Sequence, residues 1–320
     1  MGRLRPLPAH RHRHRAIRDR RGEASMTPID PIVGRDGRRR LHLWRCGDPY
    51  FGERAERLRE WTCVRFSHWP TAPSGTHHLD LRRPLPFADS VFDAACVQRV
   101  IEHLCPEDAD RFVHELARVL APGAVLRLSF PDLEELGRAY LAAYEAALAE
   151  PSEANLVRHE WRNAELFDPM VRTKSGGRMR ELMLEGRFDR DDLALRFGDV
   201  VEVFVGTPAI DRPPPTALRQ WIGLLRSPRR LLRFLSAPGR TLAALKAQRT
   251  TDPRETFETH EWMWDAESAG DLLREAGFRD VRRASWDCSA IEGWDRFDLD
   301  RSRRGEGAWE PATILEAVRA

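Results

Sequence analysis

Short apolar runs and amphipathic segments alternate along the first half of the chain. Five of the apolar runs have the length and composition of buried β-strands. They are residues 41–44, 63–66, 76–81, 92–98 and 125–130. Helices are expected at 53–61, at 106–120 and at 133–149, where apolar residues recur near helical spacing or alanine and leucine dominate. A strand, a helix and a strand of these lengths imply parallel strands joined by right-handed crossovers.

The second half of the chain departs from this alternation and then returns to it. Residues 151–255 hold a Gly-Gly pair and a proline triplet but no clear strand alternation, and we interpret them as a mostly helical insertion over the strand ends. The pattern of residues 266–276 predicts a core helix with Gly277 as its C-cap. Strands are expected at 281–288 and 312–318. The predicted divisions are a tail at 1–40, a core at 41–150 and 256–320, and the insertion between its two parts.

The first 40 residues differ from the rest in charge. They hold 12 arginines against 4 acidic residues, so the remaining 280 residues sum to about −6 within a net charge of +2. With little apolar periodicity, residues 1–40 are expected to be disordered. The alternating run Arg11-His12-Arg13-His14-Arg15 could bind an anion or a metal, but a solvated tail, or translation from Met26, is the simpler interpretation. The small net charge does not favour a nucleic-acid binder.

Five cysteines occur, an odd number, and no pair of them has CxxC spacing. Cys63, Cys96 and Cys288 fall within predicted strands, where a free thiol behaves as a small apolar group. This usage favours a reducing, cytoplasmic compartment. No run of 18 apolar residues and no secretory signal is present, so neither a spanning helix nor export is expected.

Short motifs in the region of the third to fifth strands resemble those of one enzyme family. They are Asp80-Leu81, Pro84-Leu85-Pro86-Phe87, Phe92-Asp93, Glu102-His103-Leu104, Arg118-Val119-Leu120, Pro122-Gly123 and Pro131-Asp132. Residues 260–265 and 272–278 continue the likeness far downstream. In this the chain resembles the class I S-adenosylmethionine-dependent methyltransferases, in particular the type 11-like branch. The resemblance implies an α/β, Rossmann-like sheet of seven mostly parallel strands with helices on both faces.

The resemblance also implies a cofactor, S-adenosyl-L-methionine, and residues to hold it. Asp80 would pair with the adenine edge and Leu81 would offer its backbone N–H; otherwise Asp80 caps a turn. Phe87 would pack against the adenine or fill core. Gln98 and Arg99 leave the fourth strand where the methionine part would lie. The acceptor would be a small molecule or a saccharide.

Two other cofactor positions depart from the family pattern. In the turn after the first strand, Cys46 and Gly47 would line the cofactor, but only Gly47 of the usual glycines is present and Trp44 adds bulk. Arg65 stands where an acid would hold the ribose, and an arginine offers no acceptor. Asp48 or Glu53 could replace that acid. These departures keep a second hypothesis open, a catalytically inactive subunit of this fold with a binding or regulatory role.

Glu102 and His103 follow the fourth strand, where they could position a substrate or accept a proton, or could merely cap and support the turn. No set of residues has convincing metal-ligand spacing, so no metal site is predicted.

Residues 216–251 contain eight basic residues and no acidic one, with an apolar face. They could contact an anionic membrane surface or receive an acidic substrate, or form a lid with a solvated charged face. Oligomeric state is not readable from the sequence.

Overall fold

The structure is a computed structural model, and it describes residues 28–44, 57–66, 75–197, 253–254, 256–297, 299–300 and 312–320. Within these ranges the chain forms seven strands. They are β1 (Arg40–Trp44), β2 (Trp61–Arg65), β3 (His77–His78), β4 (Phe92–Gln98), β5 (Leu120–Pro131), β6 (Phe278–Arg283) and β7 (Ala312–Arg319).

All seven strands belong to one sheet, in the order β3-β2-β1-β4-β5-β7-β6. The first five strands in the chain pair in parallel, while β7 runs antiparallel to both β5 and β6. This confirms the predicted Rossmann-like sheet of seven mostly parallel strands. Because β1 pairs with both β2 and β4, the order of addition reverses at β1, and a crevice opens beyond the carboxyl ends of the strands at such a point.

The helices lie between the strands and in the insertion. They are α1 (Pro106–Val119), α2 (Leu133–Ala149), α3 (Glu153–Val171), α4 (Gly177–Leu184), α5 (Arg190–Phe197), α6 (Ala266–Glu275) and the short α7 (Trp294–Phe297). Two 3-10 turns, Arg57–Glu60 and Ile101–His103, precede β2 and follow β4. The predicted α1, α2 and α6 are thus confirmed to within a residue.

The two faces of the sheet carry different cores. Alternate residues such as Leu41, Leu43 and Val97 enter a large apolar core with α1 and α6. Residues between them enter a second core, which includes Trp44, Trp61 and the side chains of α7. This second face also buries polar side chains: Arg40, His42, Arg65, Gln98 and Arg127.

Several predicted boundaries need correction where packing overrides local pattern. Trp61, assigned to a helix, begins β2 after a 3-10 turn, because its indole fills the second core. The third strand is only His77–His78. The strand expected at 281–288 is Phe278–Arg283, since Gly277 (φ +88°) ends α6 and the chain enters β6 at once. Cys288 therefore lies outside it and is exposed.

The boundary between α1 and β5 also differs. Pro122-Gly123 was expected to end the helix, but α1 ends at Val119 and the pair lies within β5. Gly123 has φ +82°, a backbone conformation that favours glycine.

Residues 28–40 pack against the domain, so the predicted disordered tail is wrong for this part. Ile29 donates its N–H to the carbonyl of Pro86 at 2.9 Å. Ile32 donates its N–H to the Thr62 hydroxyl at 2.8 Å, and Val33 forms a β-bridge with Arg39. These contacts fasten the entry to β1 onto the sheet. Residues 1–27 lie outside the described residues.

The described part of the insertion is helical, as expected. α3, α4 and α5 enclose a small core of their own around Trp161 and Leu182. Asp168 of α3 accepts hydrogen bonds from the first N–H groups of α4, including Arg178 at 2.7 Å. Residues 198–252, and with them the basic segment 216–251, lie outside the described residues. Within the ranges that the structure describes, no helix is long and apolar enough to cross a membrane.

Candidate functional site

Asp80 lies in a turn between β3 and β4, at the carboxyl edge of the sheet. The N–H of Arg83 donates to the carbonyl of Asp80 at 3.1 Å, which closes the turn. The carboxylate of Asp80 accepts from the Nε and Nη2 of Arg82, both at 2.8 Å, and from the Arg82 N–H at 3.1 Å. Burial alone would raise the pKa of the Asp80 carboxyl, but Arg82, with Arg83, lowers it below its usual value. Asp80 is therefore ionised at neutral pH and already holds a planar cation.

An aromatic stack continues from this ion pair. The guanidinium of Arg82 lies over the ring of Phe257, 4.8 Å from its centroid. Phe257 in turn packs against Phe66, with ring centroids 4.3 Å apart. Phe66 directly follows β2, and Phe257 has φ +55°, an uncommon backbone conformation for a bulky residue. The stack brings the end of β2, the turn at Asp80 and a segment of the downstream half into contact.

Leu81 and Phe87 both lie in the large apolar core. Leu81 is buried, and the Phe87 side chain, 5% exposed, meets Phe92 edge to face at 5.0 Å. Of the two roles considered for Phe87, the structure shows core filling.

The prediction that Gln98 faces the methionine part of a cofactor needs correction. Gln98 is 7% exposed, and it enters the second core because side chains of β4 alternate between the two faces. Its carbonyl contacts the Nε2 of His42 at 2.8 Å, and its amide donates to Asp300 at 2.5 Å. Asp300 also accepts from Arg127 at 2.6 Å. Gln98 is thus part of a buried polar network under the sheet.

Trp44, expected to crowd the crevice, also belongs to the second core. Its indole is 6% exposed and stacks on the His42 ring at 4.9 Å. Arg65 is likewise buried. The other residues considered around the glycine turn, Cys46 and Gly47 included, lie outside the described residues.

Arg99 follows β4 in the left-handed region, with φ +54°. Its N–H donates to the carbonyl of Ser129 on β5 at 2.9 Å, so the neighbouring strand holds this conformation. Such backbone in a residue with a Cβ is costly and is concentrated at functional sites. The bend at Arg99 turns the chain sharply into the Ile101–His103 turn.

Glu102 and His103 are buried at that turn and meet His260 from the downstream half. The Nε2 of His103 lies 4.0 Å from a carboxylate oxygen of Glu102. The rings of His103 and His260 are 4.9 Å apart with an angle of 76° between their planes. One ligand atom from each of the three residues falls within 4.8 Å of the others. This set was not predicted from the sequence, because His260 lies far from Glu102 and His103 in the chain and approaches them only in the folded protein.

Backbone contacts hold the downstream segment in place. The N–H groups of Glu261 and Trp262 both donate to the carbonyl of Glu102, at 2.7 and 3.3 Å. The indole N–H of Trp264 donates to the carbonyl of Ile101 at 3.2 Å. The motif at 260–265 therefore covers the turn after β4.

The comparison with protein families agrees with this geometry. Residues 65–128 match the model of the family described as a methyltransferase domain. The match runs from the end of β2 into β5 and includes Asp80, Arg99, Glu102 and His103. This stretch of the chain is thus similar to a methyltransferase domain. This confirms the resemblance to the class I methyltransferases, while the family model spans a minor part of the chain.

Solved structures resemble this chain only distantly. A chain of a complex that contains the Haloferax volcanii Trm112 methyltransferase activator is 11% identical over 90% of this chain and 84% of its own, with a TM-score of 0.35. An S-adenosylmethionine-dependent methyltransferase from Thermotoga maritima is 12% identical over 88% and 82%, with a TM-score of 0.32. One from Mesorhizobium loti is 21% identical over 32% and 49%, at 0.24. No curated protein matches the sequence.

Proposed function

We propose that this protein is an S-adenosylmethionine-dependent methyltransferase that acts on a small molecule or a saccharide. The observation that supports it is where the family match falls. The matched residues 65–128 supply the turn at Asp80, the bend at Arg99 and the buried pair Glu102 and His103. In an open parallel sheet these positions border the crevice in which ligands bind. The nature of the acceptor rests on the likeness to the type 11-like branch alone.

The adenine end of the cofactor fits the described residues. Asp80 carries an ionised carboxylate that can accept from an exocyclic amine, and the backbone N–H of Leu81 lies beside it. The rings of Phe66 and Phe257 provide an aromatic surface next to the carboxylate. The guanidinium of Arg82 already occupies both groups, because its N–H edge donates to the Asp80 carboxylate and its face lies over the Phe257 ring. Adenine binding therefore requires the Arg82 side chain to move away.

The ribose end fits less well. Arg65 is buried where an acid would accept the ribose hydroxyls. Asp48 and Glu53 remain the proposed substitutes, with Cys46 and Gly47 against the cofactor, and all four lie outside the described residues.

Once bound, the cofactor supplies a methyl group on a sulfonium, and transfer is a direct displacement that needs no protein nucleophile. Proximity and alignment can provide most of the acceleration. The residues at the turn after β4 would then handle the acceptor proton. Because a carbonyl only accepts, the contact between His103 Nδ1 and the Thr259 carbonyl at 2.8 Å places the proton on Nδ1. Nε2 then keeps its lone pair toward the acceptor, and Glu102 stabilises the charged ring.

Titration calorimetry with S-adenosylmethionine and its demethylated product tests the cofactor proposal. We expect saturable binding of one ligand per chain, and about a tenfold or greater loss in Asp80→Asn, which keeps the size but removes the charge of the side chain. Asp110→Asn, on the exposed face of α1, is the matched control and should bind as the wild type does. No binding at millimolar ligand would refute the enzyme.

A second candidate is a non-catalytic subunit of this fold. Two observations favour it, the Asp80–Arg82 pair and the buried Arg65 in the ribose position. Under this reading Arg82→Ala would not create cofactor binding. Purification of a stable complex between this protein and an active methyltransferase would support it.

The remaining expectations about partners stay proposals. We propose a cytoplasmic protein without a nucleic-acid partner, and peripheral membrane contact through residues 216–251. Sedimentation of the full chain with anionic and with neutral lipid vesicles distinguishes the membrane contact from its absence.

A further inference from the structure

Two segments that are distant in the chain bring a carboxylate and two imidazoles together. Glu102 and His103 come from the turn after β4, and His260 comes from the start of the downstream core. Glu102 and His103 are buried, and His260 is partly accessible. Their ligand atoms lie within 4.8 Å of one another. Exposed clusters of this kind are common on proteins that bind no metal ion at them. Burial of a carboxylate and an imidazole is costly unless they are paired or hold an ion, so this cluster is a stronger candidate for a binding site.

His103 is prepared for the role of a ligand. Its Nδ1 contacts the Thr259 carbonyl at 2.8 Å, so Nδ1 carries a proton and Nε2 is the ring nitrogen that can bind an ion once it is deprotonated. A hydrogen bond from the second ring nitrogen to a carbonyl is the usual support of a metal-bound histidine. The Nε2 atom faces Glu102 at 4.0 Å.

The relative position of the two segments depends on backbone rather than on the three side chains. Glu261 and Trp262 donate their N–H groups to the carbonyl of Glu102, and His260 donates its own to the carbonyl of Pro169 in α3 at 2.8 Å. The donors are therefore held close before any ion binds. The 76° angle between the rings of His103 and His260 lets both present nitrogen to one point without overlap.

We propose that Glu102, His103 and His260 bind one divalent transition-metal ion, of which Zn²⁺ is the best match. Two imidazoles and one carboxylate suit Zn²⁺ and similar ions, and they leave a position open for water or substrate. Bonds of the usual length require the ligand atoms to lie about 3.4 Å apart in a tetrahedral site. Binding therefore requires side-chain rotations that shorten the 4.0 Å between His103 and Glu102 and the separations of up to 4.8 Å within the set.

A metal ion at this site would change the role of His103 in the proposed methyl transfer. Its Nε2 becomes a ligand rather than a proton acceptor, and the ion lowers the pKa of a bound hydroxyl instead. This consequence rests on the proposed methyl transfer, whereas binding of the ion does not.

The test measures binding of Zn²⁺ by equilibrium dialysis and the visible spectrum of bound Co²⁺, after removal of metals by a chelator. The full chain is used with His10, His12 and His14 replaced by alanine, since the tail could bind metal by itself. We expect one ion per chain in this background. Glu102→Gln and His260→Gln should weaken binding by at least about 100-fold, the upper end of what loss of a supporting contact costs. His114→Ala removes an exposed histidine beside Asp110 and serves as the control.

The backbone bonds to Glu102 survive both glutamine substitutions, and circular dichroism checks that each variant is folded. Binding that is absent in the background, or that persists in both variants, would overturn the proposal. Calorimetry with S-adenosylmethionine on the same samples separates this outcome from failure of the proposed enzyme. An ion bound without cofactor binding leaves the metal site standing and removes the methyl transfer.

Discussion

Replacement of Arg82 by alanine should make S-adenosylmethionine bind more tightly. Arg82 occupies Asp80 with two side-chain hydrogen bonds at 2.8 Å and covers Phe257 at 4.8 Å. Under the proposed function, adenine needs the same carboxylate for its exocyclic amine and the same aromatic ring for stacking. The cofactor must break both contacts before it can bind.

The size of the effect follows from how exposed the pair is. The side chains of Arg82 and Asp80 are 46% and 31% exposed, so solvent screens the ion pair and it contributes about 0.2–1 kcal/mol. The contact with the Phe257 ring adds about 0.5–1 kcal/mol at such a position. Together they amount to roughly 0.7–2 kcal/mol, which corresponds to about a 3- to 30-fold lower Kd in Arg82→Ala.

Titration calorimetry on the wild type and on Arg82→Ala measures the change. Arg83→Ala is the matched control, because Arg83 lies 3.8 Å from the same carboxylate but does not form the paired hydrogen bonds. It should change the affinity by less than about threefold, since a single exposed ion pair is weak. An unchanged or weaker affinity in Arg82→Ala would refute the idea that Arg82 competes with the cofactor.

Three further predictions concern stability. Gly177→Ala should destabilise the fold by about 2 kcal/mol or more in urea titration, because its φ is +52° and a Cβ would overlap the Asp168 carboxylate. Gly137→Ala, within the second turn of α2 and with open space around it, should be neutral or stabilise by up to about 1 kcal/mol; equal costs for the two would contradict this. Arg127→Met should cost about 3–5 kcal/mol, because it removes a buried guanidinium from the buried carboxylates of Asp300 and Glu316, although Arg282 still pairs with Glu316, whereas Arg138→Met, in an exposed pair, should cost under about 1 kcal/mol. Arginine hydrogen bonds lower the pKa of Glu160 in the folded state, so its contribution is present above the unfolded value of about 4.3 and is lost as pH falls through the folded pKa. Thermal midpoints in acid should therefore fall less steeply in Glu160→Gln than in the wild type, and parallel curves would show that the pair adds nothing.

The central strands were predictable because each is a local apolar run. β4 is buried on both faces of the sheet at every position but Asp93, so residues 92–97 are otherwise apolar and the predicted bounds were correct. β6 lies at the edge of the sheet and exposes four of its six residues, so the pattern was weak and the predicted strand was misplaced. Trp61 was misassigned for a related reason, since only the second core shows why an aromatic residue begins β2.

The candidate site was predictable only where one segment carries it. The motifs around Asp80 and Glu102 marked the carboxyl edge of the sheet, because a residue that follows a strand must lie there. The partners of these residues could not be read in the same way. Phe257 reaches Arg82, and His260 reaches His103, across long stretches of intervening chain.

By itself, the sequence determined the kind of sheet, the position of its central strands and the stretch that resembles a methyltransferase domain, all of which depend on short-range hydrophobic order and local motifs. Only the tertiary structure decided that Gln98 and Trp44 serve the second core, that Arg82 holds Asp80, and that a second histidine joins Glu102 and His103. The physical reason is that the chemistry of a side chain depends on the groups that surround it in the folded protein. Packing between distant segments of the chain determines which groups those are.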